Sequence, residues 1–175
     1  MRYIQKPTPA EYPAYSYIYM DLMEDNGKVL EYLQNSIAEI KQLVYSLPEE
    51  KLYDRYAKGK WTIKEILVHI IDDERIFSYR ALCYARNDQT QLPGFEQEDY
   101  VNISRANERS LDSIFEEYEA VRNATITLFK HLPEEAFLRR GLAIDDINNR
   151  SVRALAYHIA GHEKRHLNII KERYL

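Results

Sequence analysis

The sequence predicts an all-α protein built as a four-helix bundle, and three observations carry that expectation. Four segments of three or more turns repeat apolar residues at steps of three and four, the spacing of one helix face. Glycine is sparse, five among 175 residues, and no convincing stretch alternates apolar and polar side chains as a half-buried strand does. Linkers of moderate length join the segments, each marked by proline or by a capping residue, as in a bundle of consecutive helices.

The first helix is expected from a cap at Asp25 or Asn26 to about Tyr45, with Val29, Tyr32, Leu33, Ile37, Ile40 and Val44 facing inward. Ser46-Leu47-Pro48-Glu49-Glu50 ends it, because proline cannot continue a helix interior. The second opens at Thr62, where Thr62-Ile63-Lys64-Glu65 has the form of a capping box, and runs to about Arg86. A loop with the turn dipeptide Pro93-Gly94 follows. The third helix is expected over roughly Ser104 to His131, and the fourth from a Ser151 cap to the C-terminus. Ahead of the bundle (25–175), residues 1–24 hold five of the 15 tyrosines, four of them in Tyr12-Pro13-Ala14-Tyr15-Ser16-Tyr17-Ile18-Tyr19. This segment is expected to pack on the bundle, with a dimer contact as the alternative.

Composition excludes several classes of function. Hydrophobic residues make up 45% and charged residues 30% of the chain, with a net charge of −4. Acids and bases interleave, so no basic patch points to nucleic acid. No apolar run reaches the length of a membrane span, and MRYIQKPTPAEYP lacks a signal-peptide core. A single cysteine, Cys83, rules out a disulfide framework, and a reducing cytoplasm is the expected location.

A faint internal repeat is also visible. Leu47-Pro48-Glu49-Glu50 recurs as Leu132-Pro133-Glu134-Glu135. Thr62-Ile63-Lys64, His69-Ile70 and Glu74-Arg75 match Ser151-Val152-Arg153, His158-Ile159 and Glu163-Lys164. In this register Asp73 corresponds to His162, and the bundle reads as two similar helical hairpins.

The chemistry concentrates in the last helix, which carries His158, His162 and His166 four residues apart. Its apolar stripe runs Val152, Leu155, Ile159, then His162 and His166, and resumes at Ile169. Two imidazoles thus stand where a bundle interior receives aliphatic side chains, while His158 lies at the stripe's edge. Burying adjacent imidazoles without partners is costly, and a shared metal ion removes that cost; core histidines bonded to carboxylate or water are the plainer alternative. A catalytic metal site usually adds a third protein ligand and keeps one position open. His69, within the apolar run Ile66-Leu67-Val68-His69-Ile70-Ile71, is the best candidate, and Asp73 one turn on is expected to receive its other N–H. His131, at a helix end, suits a capping role. Cys83 lies about 21 Å along the helix from His69, too far to share the ion.

These segments resemble the DinB-like superfamily, the damage-inducible and YfiT-like proteins. Lys60-Trp61-Thr62-Ile63-Lys64-Glu65-Ile66-Leu67-Val68-His69 is similar to the stretch that opens its second helix. Leu92-Pro93-Gly94-Phe95 resembles its second loop, and Gly161-His162-Glu163-Lys164-Arg165-His166-Leu167 its C-terminal metal motif. The resemblance covers about Leu30 to the end. It implies a four-helix bundle, often a homodimer, that binds a divalent ion through His69, His162 and His166. It further implies a metal-dependent hydrolase, or a thiol-S-transferase using a low-molecular-weight thiol, acting on a small-molecule substrate. Zinc and nickel both suit imidazole ligands.

Three rival readings remain at this point. His162-Glu163-Lys164-Arg165-His166 fits the zincin pattern, but only nine residues follow for a downstream ligand. Glu163 and His166 fit one half of a di-iron motif, whereas Glu65 and His69 have the wrong spacing for the other half. A structural metal bundle or small-molecule binding module would instead close the ion with a fourth ligand such as Asp73 or His158. If the site is catalytic, Lewis-acid activation of water or thiol is expected, with Glu163 as either a proton acceptor or a solvated bystander.

Overall fold

Capping residues and prolines set where the helices begin and end. The structure is a computed structural model describing residues 1–141 and 149–175. Among the described residues it is helical, with one isolated bridge between Arg140 and Ser151. A short helix α1 (Tyr17–Met20) precedes α2 (Val29–Tyr45) and α3 (Ile63–Ala85). A second short helix, α4 (Gln97–Ile103), precedes α5 (Leu111–His131) and α6 (Val152–Arg173). The expected capping box forms at α3: Thr62 Oγ1 accepts from the Glu65 N–H, and the Glu65 carboxylate accepts from the Thr62 N–H at 2.8 Å. Ser151 caps α6 in the same way through the Ala154 N–H.

Two helix starts depart from expectation. The first long helix begins at Val29 rather than at Asp25 or Asn26, because Gly27 takes a left-handed φ of 69°. Asn26 instead accepts the Lys28 N–H in a local turn. A Cβ on residue 27 would meet the Tyr3 ring at 2.0 Å, so the N-terminal segment closes over this turn. The third long helix, expected from about Ser104, starts only at Leu111. Ser104 ends α4, Arg105 is left-handed at φ 54°, and α5 starts afresh from a Ser110 cap that accepts the Ser113 N–H.

The apolar core forms two clusters. One gathers Leu30, Leu33, Phe77, Phe129 and Leu155; the other gathers Ile40, Leu67, Phe115, Tyr118 and Ile170. Every long helix contributes to both, so α3 and α5 run one way and α2 and α6 the other. The segment between α3 and α5 therefore returns along the bundle, and α4 within it packs on α3.

Between the apolar clusters, at the middle of each long helix, lies a buried polar layer. Arg122 of α5, 2% exposed, donates through Nε to both carboxylate oxygens of Glu74 of α3. Its other nitrogens reach Glu163 of α6, the Leu33 carbonyl and the Ser36 hydroxyl of α2. Tyr118 also donates to Glu163. One guanidinium thus touches all four long helices.

The internal repeat has a structural counterpart. Each Leu-Pro-Glu-Glu segment becomes a 3₁₀ turn, Glu49–Tyr53 or Glu134–Leu138, between two long helices. The matched acids Glu74 and Glu163 grip the same arginine. Even the short helices correspond, since α1 lies on α6 as α4 lies on α3.

The N-terminal segment packs on the bundle as a strap. Glu11 is its anchor: the carboxylate accepts from Arg153, Ser151 and the Thr8 N–H, and its carbonyl accepts the Ser151 N–H. Burial works to raise the Glu11 pKa, but Arg153, Thr8 and Ser151 together bring it down from 4.5 to about 2.

Two outcomes follow. Arg122→Ala leaves two buried carboxylates without their cation and should cost about 3–5 kcal/mol of stability, measured by urea unfolding. Because Glu11 is depressed in the folded state, its contribution is present above pH 4.5 and is lost as pH falls toward 2. Hydrogen exchange of residues 1–24, corrected for intrinsic rate, should rise through that window, and Glu11→Gln should show the raised exchange already at pH 7.

Candidate metal centre

Three imidazoles on two helices turn inward to a common point. His69 stands on α3 and His162 and His166 on α6, the pair of helices in most extensive contact. His162 Nε2 lies 3.1 Å from His69 Nε2 and 3.2 Å from His166 Nε2. Four-coordinate binding at zinc–nitrogen distances of about 2.0–2.1 Å would place ligand nitrogens about 3.3 Å apart. These two separations are close to that value, and the three donor atoms all lie within 4.8 Å of one another, a group that could hold one ion. His69 and His162 are buried and His166 is partly exposed.

The protonation states fit as well. Burial, aided by the neighbouring His69 and by Arg165, brings the His166 pKa down to about 3. Burial also lowers His69, and lowers His162 well below its usual range, with Asp73 opposing in each case. Neutral imidazoles are the form that ligates metal.

The chain brings together the three histidines that sequence spacing selected, and separates the others. His131 ends α5, exposed, and Cys83 is buried in the apolar cluster at the far end of α3. His158, at the edge of the apolar stripe, is 3% exposed, with the Phe77 ring stacked on it at 3.8 Å. Among the described residues, neither His158 nor Asp73 joins the group of converging donors.

Asp73 corrects an expectation. Its Oδ2 faces His162 Nδ1 at 3.4 Å and His158 Nε2 at 3.5 Å, not His69. Residues four apart share a helix face, yet the α6 imidazoles lie directly across the interface and claim the carboxylate. A proton on His162 Nδ1, facing Asp73, leaves the Nε2 lone pair for the ion.

Glu163 is neither solvated nor a base at the ion. It is fully buried and held by Arg122 and Tyr118, which removes the zincin reading. Glu65, the di-iron candidate on α3, is taken by the helix cap, Arg55 and Asn107.

A cavity of about 290 Å³ opens on His166 and is lined also by Tyr19, Trp61, Glu98, Arg165 and Ile169. The Trp61 indole packs on His69 with ring centroids 4.6 Å apart and donates to Glu98 of α4. Tyr19 comes from the strap and meets the His162 ring edge-on at 5.4 Å. Its backbone reaches that close because residue 161 is glycine: a Cβ there would lie 2.3 Å from the Tyr19 carbonyl oxygen. Tyr19, Glu98 and Arg165 line the site without a motif that marks them in the sequence. The spacing of Gly161 within the histidine ladder was the available signal for Tyr19.

Replacing Asp73 by Asn should weaken divalent-metal affinity by about 10–100-fold, read by competition with a chromophoric chelator. His162→Ala/His166→Ala, purified without a histidine tag, should retain no stoichiometric metal. Equal metal content in that variant and the parent would sink the assignment.

Comparison with known proteins agrees with this architecture. A sequence profile of the DinB superfamily matches residues 32–170. A protein of Oceanobacillus iheyensis named "putative metal-dependent hydrolase" is 28% identical over 151 residues, covering 85% of each chain. The solved structure of YfiT from Bacillus subtilis, described as "a probable metal-dependent hydrolase with an unusual four-helix bundle topology", superposes with a TM-score of 0.76 over 85% of each chain. At 16% identity that likeness establishes the four-helix bundle fold. With the profile spanning most of its length, the chain belongs to the DinB superfamily.

Proposed function

We propose that this protein is a divalent-metal-dependent hydrolase of small molecules, with zinc or nickel held by His69, His162 and His166. The observation that carries the reading is the meeting of three converging imidazole nitrogens with a cavity that opens on one of them. A divalent ion held there supplies Lewis acidity, lowering the pKa of a coordinated water or thiol toward neutrality.

The chain's own residues supply the rest. Trp61 covers His69 and shields that side of the centre from solvent. Asp73 Oδ2 lies 3.4 Å from His162 Nδ1, behind the centre, where a proton on that nitrogen leaves Nε2 for the ion. Arg165 and Glu98 place one cation and one carboxylate on the cavity wall, and Tyr19 adds a hydroxyl. A cavity of about 290 Å³ lies at the small end of ligand sites, which favours a compact substrate over a peptide. Glu163, committed to Arg122, has no part in proton transfer.

Hydrolysis of simple esters or amides should appear on loading chelator-treated protein with zinc or nickel, and should fall at least about 100-fold in His162→Ala/His166→Ala. Titration of the cobalt-substituted protein with cysteine or 2-mercaptoethanol separates the two nucleophiles. An unchanged cobalt spectrum with ester turnover supports the hydrolase. A thiolate absorption band, with metal-dependent transfer of the thiol to an electrophile, would replace it by the transferase. A metal-loaded protein that does neither has a structural ion.

A further inference from the structure

The register that pairs Thr62 with Ser151 carries the metal centre onto a second cluster. His69, His162 and His166 fall on His158, Asp73 and Phe77. Contacts follow the same correspondence. His69 meets His162 at 3.1 Å, and the matching pair, His158 and Asp73, meets at 3.5 Å. Asp73 and His162, which correspond to each other, touch at 3.4 Å, as equivalent residues do beside a two-fold axis.

The surroundings correspond too, with the chemistry changed. Trp61, which packs on His69, is matched by Arg150, and Ile169 of the cavity wall is matched by Arg80. Both guanidinium groups lie over the Phe77 ring, at 5.3 and 4.9 Å. Phe77 itself stands where the third ligand stands in the first cluster, stacked on His158.

We infer that the His158–Asp73–Phe77 cluster is a second, closed copy of the metal centre that now serves the first: Phe77 replaces the third ligand, Arg150 and Arg80 over its ring replace Trp61 and Ile169, and His158 positions Asp73, which positions His162. Asp73 Oδ2 and both ring nitrogens of His158 are buried with no hydrogen-bond partner among the described residues. Buried polar groups of that kind are costly unless used. With an ion on His162 Nε2, the Nδ1–H becomes a stronger donor, Asp73 its acceptor and His158 a second donor to the same oxygen. Burial, reinforced by the charges of Arg150 and Arg80, keeps His158 neutral, so it serves as an N–H donor rather than as a cation.

The inference rests on metal binding by the three histidines, and cobalt(II) affinity and stoichiometry test it without reference to turnover. His158→Leu should bind cobalt about 10-fold more weakly than the parent, whereas His158→Gln, which keeps an N–H donor, should stay within about threefold. Phe77→His/Arg80→Ile writes the matching residues of the first centre into the second, and should take up two cobalt ions per chain where the parent takes one. A folded His158→Leu variant that binds cobalt like the parent overturns the positioning role. A folded double variant that stays at one ion overturns the copy. If the double variant does not fold, the His158 pair decides. A parent protein that takes up no cobalt overturns the metal-site reading itself, a result distinct from the other two.

Discussion

Arg122 is the contact on which the rest of the interior depends. It binds Glu74 and Glu163, which are the immediate chain neighbours of Asp73 and His162. Its grip therefore sets the relative height of α3 and α6 at the level where the imidazoles meet. A helical residue advances 1.5 Å along the axis, so a slip of even one residue would separate nitrogens that now lie 3.1 Å apart. Burying one cation with two acids is poor practice for stability alone, since well-packed apolar residues often do as well. It is a good way to fix register, because only one alignment satisfies all the partners.

The polar layer also explains why the core is divided. A continuous apolar core could slide, whereas two apolar clusters separated by charged and imidazole groups cannot without exposing those groups to hydrocarbon. The bundle accommodates its buried histidines by interrupting the core at one height. Leu33 and Ser36 on α2 complete the layer by accepting from Arg122, so the helix that carries no histidine is still tied to the same plane.

Much of this was legible in the sequence, for physical reasons that differ by element. The α3 and α6 starts were readable because Thr62-Ile63-Lys64-Glu65 and Ser151 satisfy backbone donors locally. The three converging histidines were readable because two imidazoles interrupt an apolar stripe and a third sits in an apolar run. Harder to read were features set by tertiary contact. The break at Arg105 depends on a left-handed residue that is not glycine. The partner of Asp73 was misjudged because helix spacing ranks neighbours on one helix, and the imidazoles facing it belong to another. Glu163 looked solvated because its partner, Arg122, lies far off in the chain. A lone buried arginine is not distinguishable by spacing from a surface one.

The close seat of the strap against α6 has a further consequence. Gly161 sits in the turn between His158 and His162, where any side chain would strike the Tyr19 carbonyl. The chain's beginning and its histidine-bearing helix α6 are thus fitted to each other through a missing side chain. A relative with a larger residue at this position must lead its N-terminus along another path and build that wall of the cavity from something else. In this chain one position in the histidine ladder thus fixes where the strap runs and which residue, Tyr19, walls the cavity.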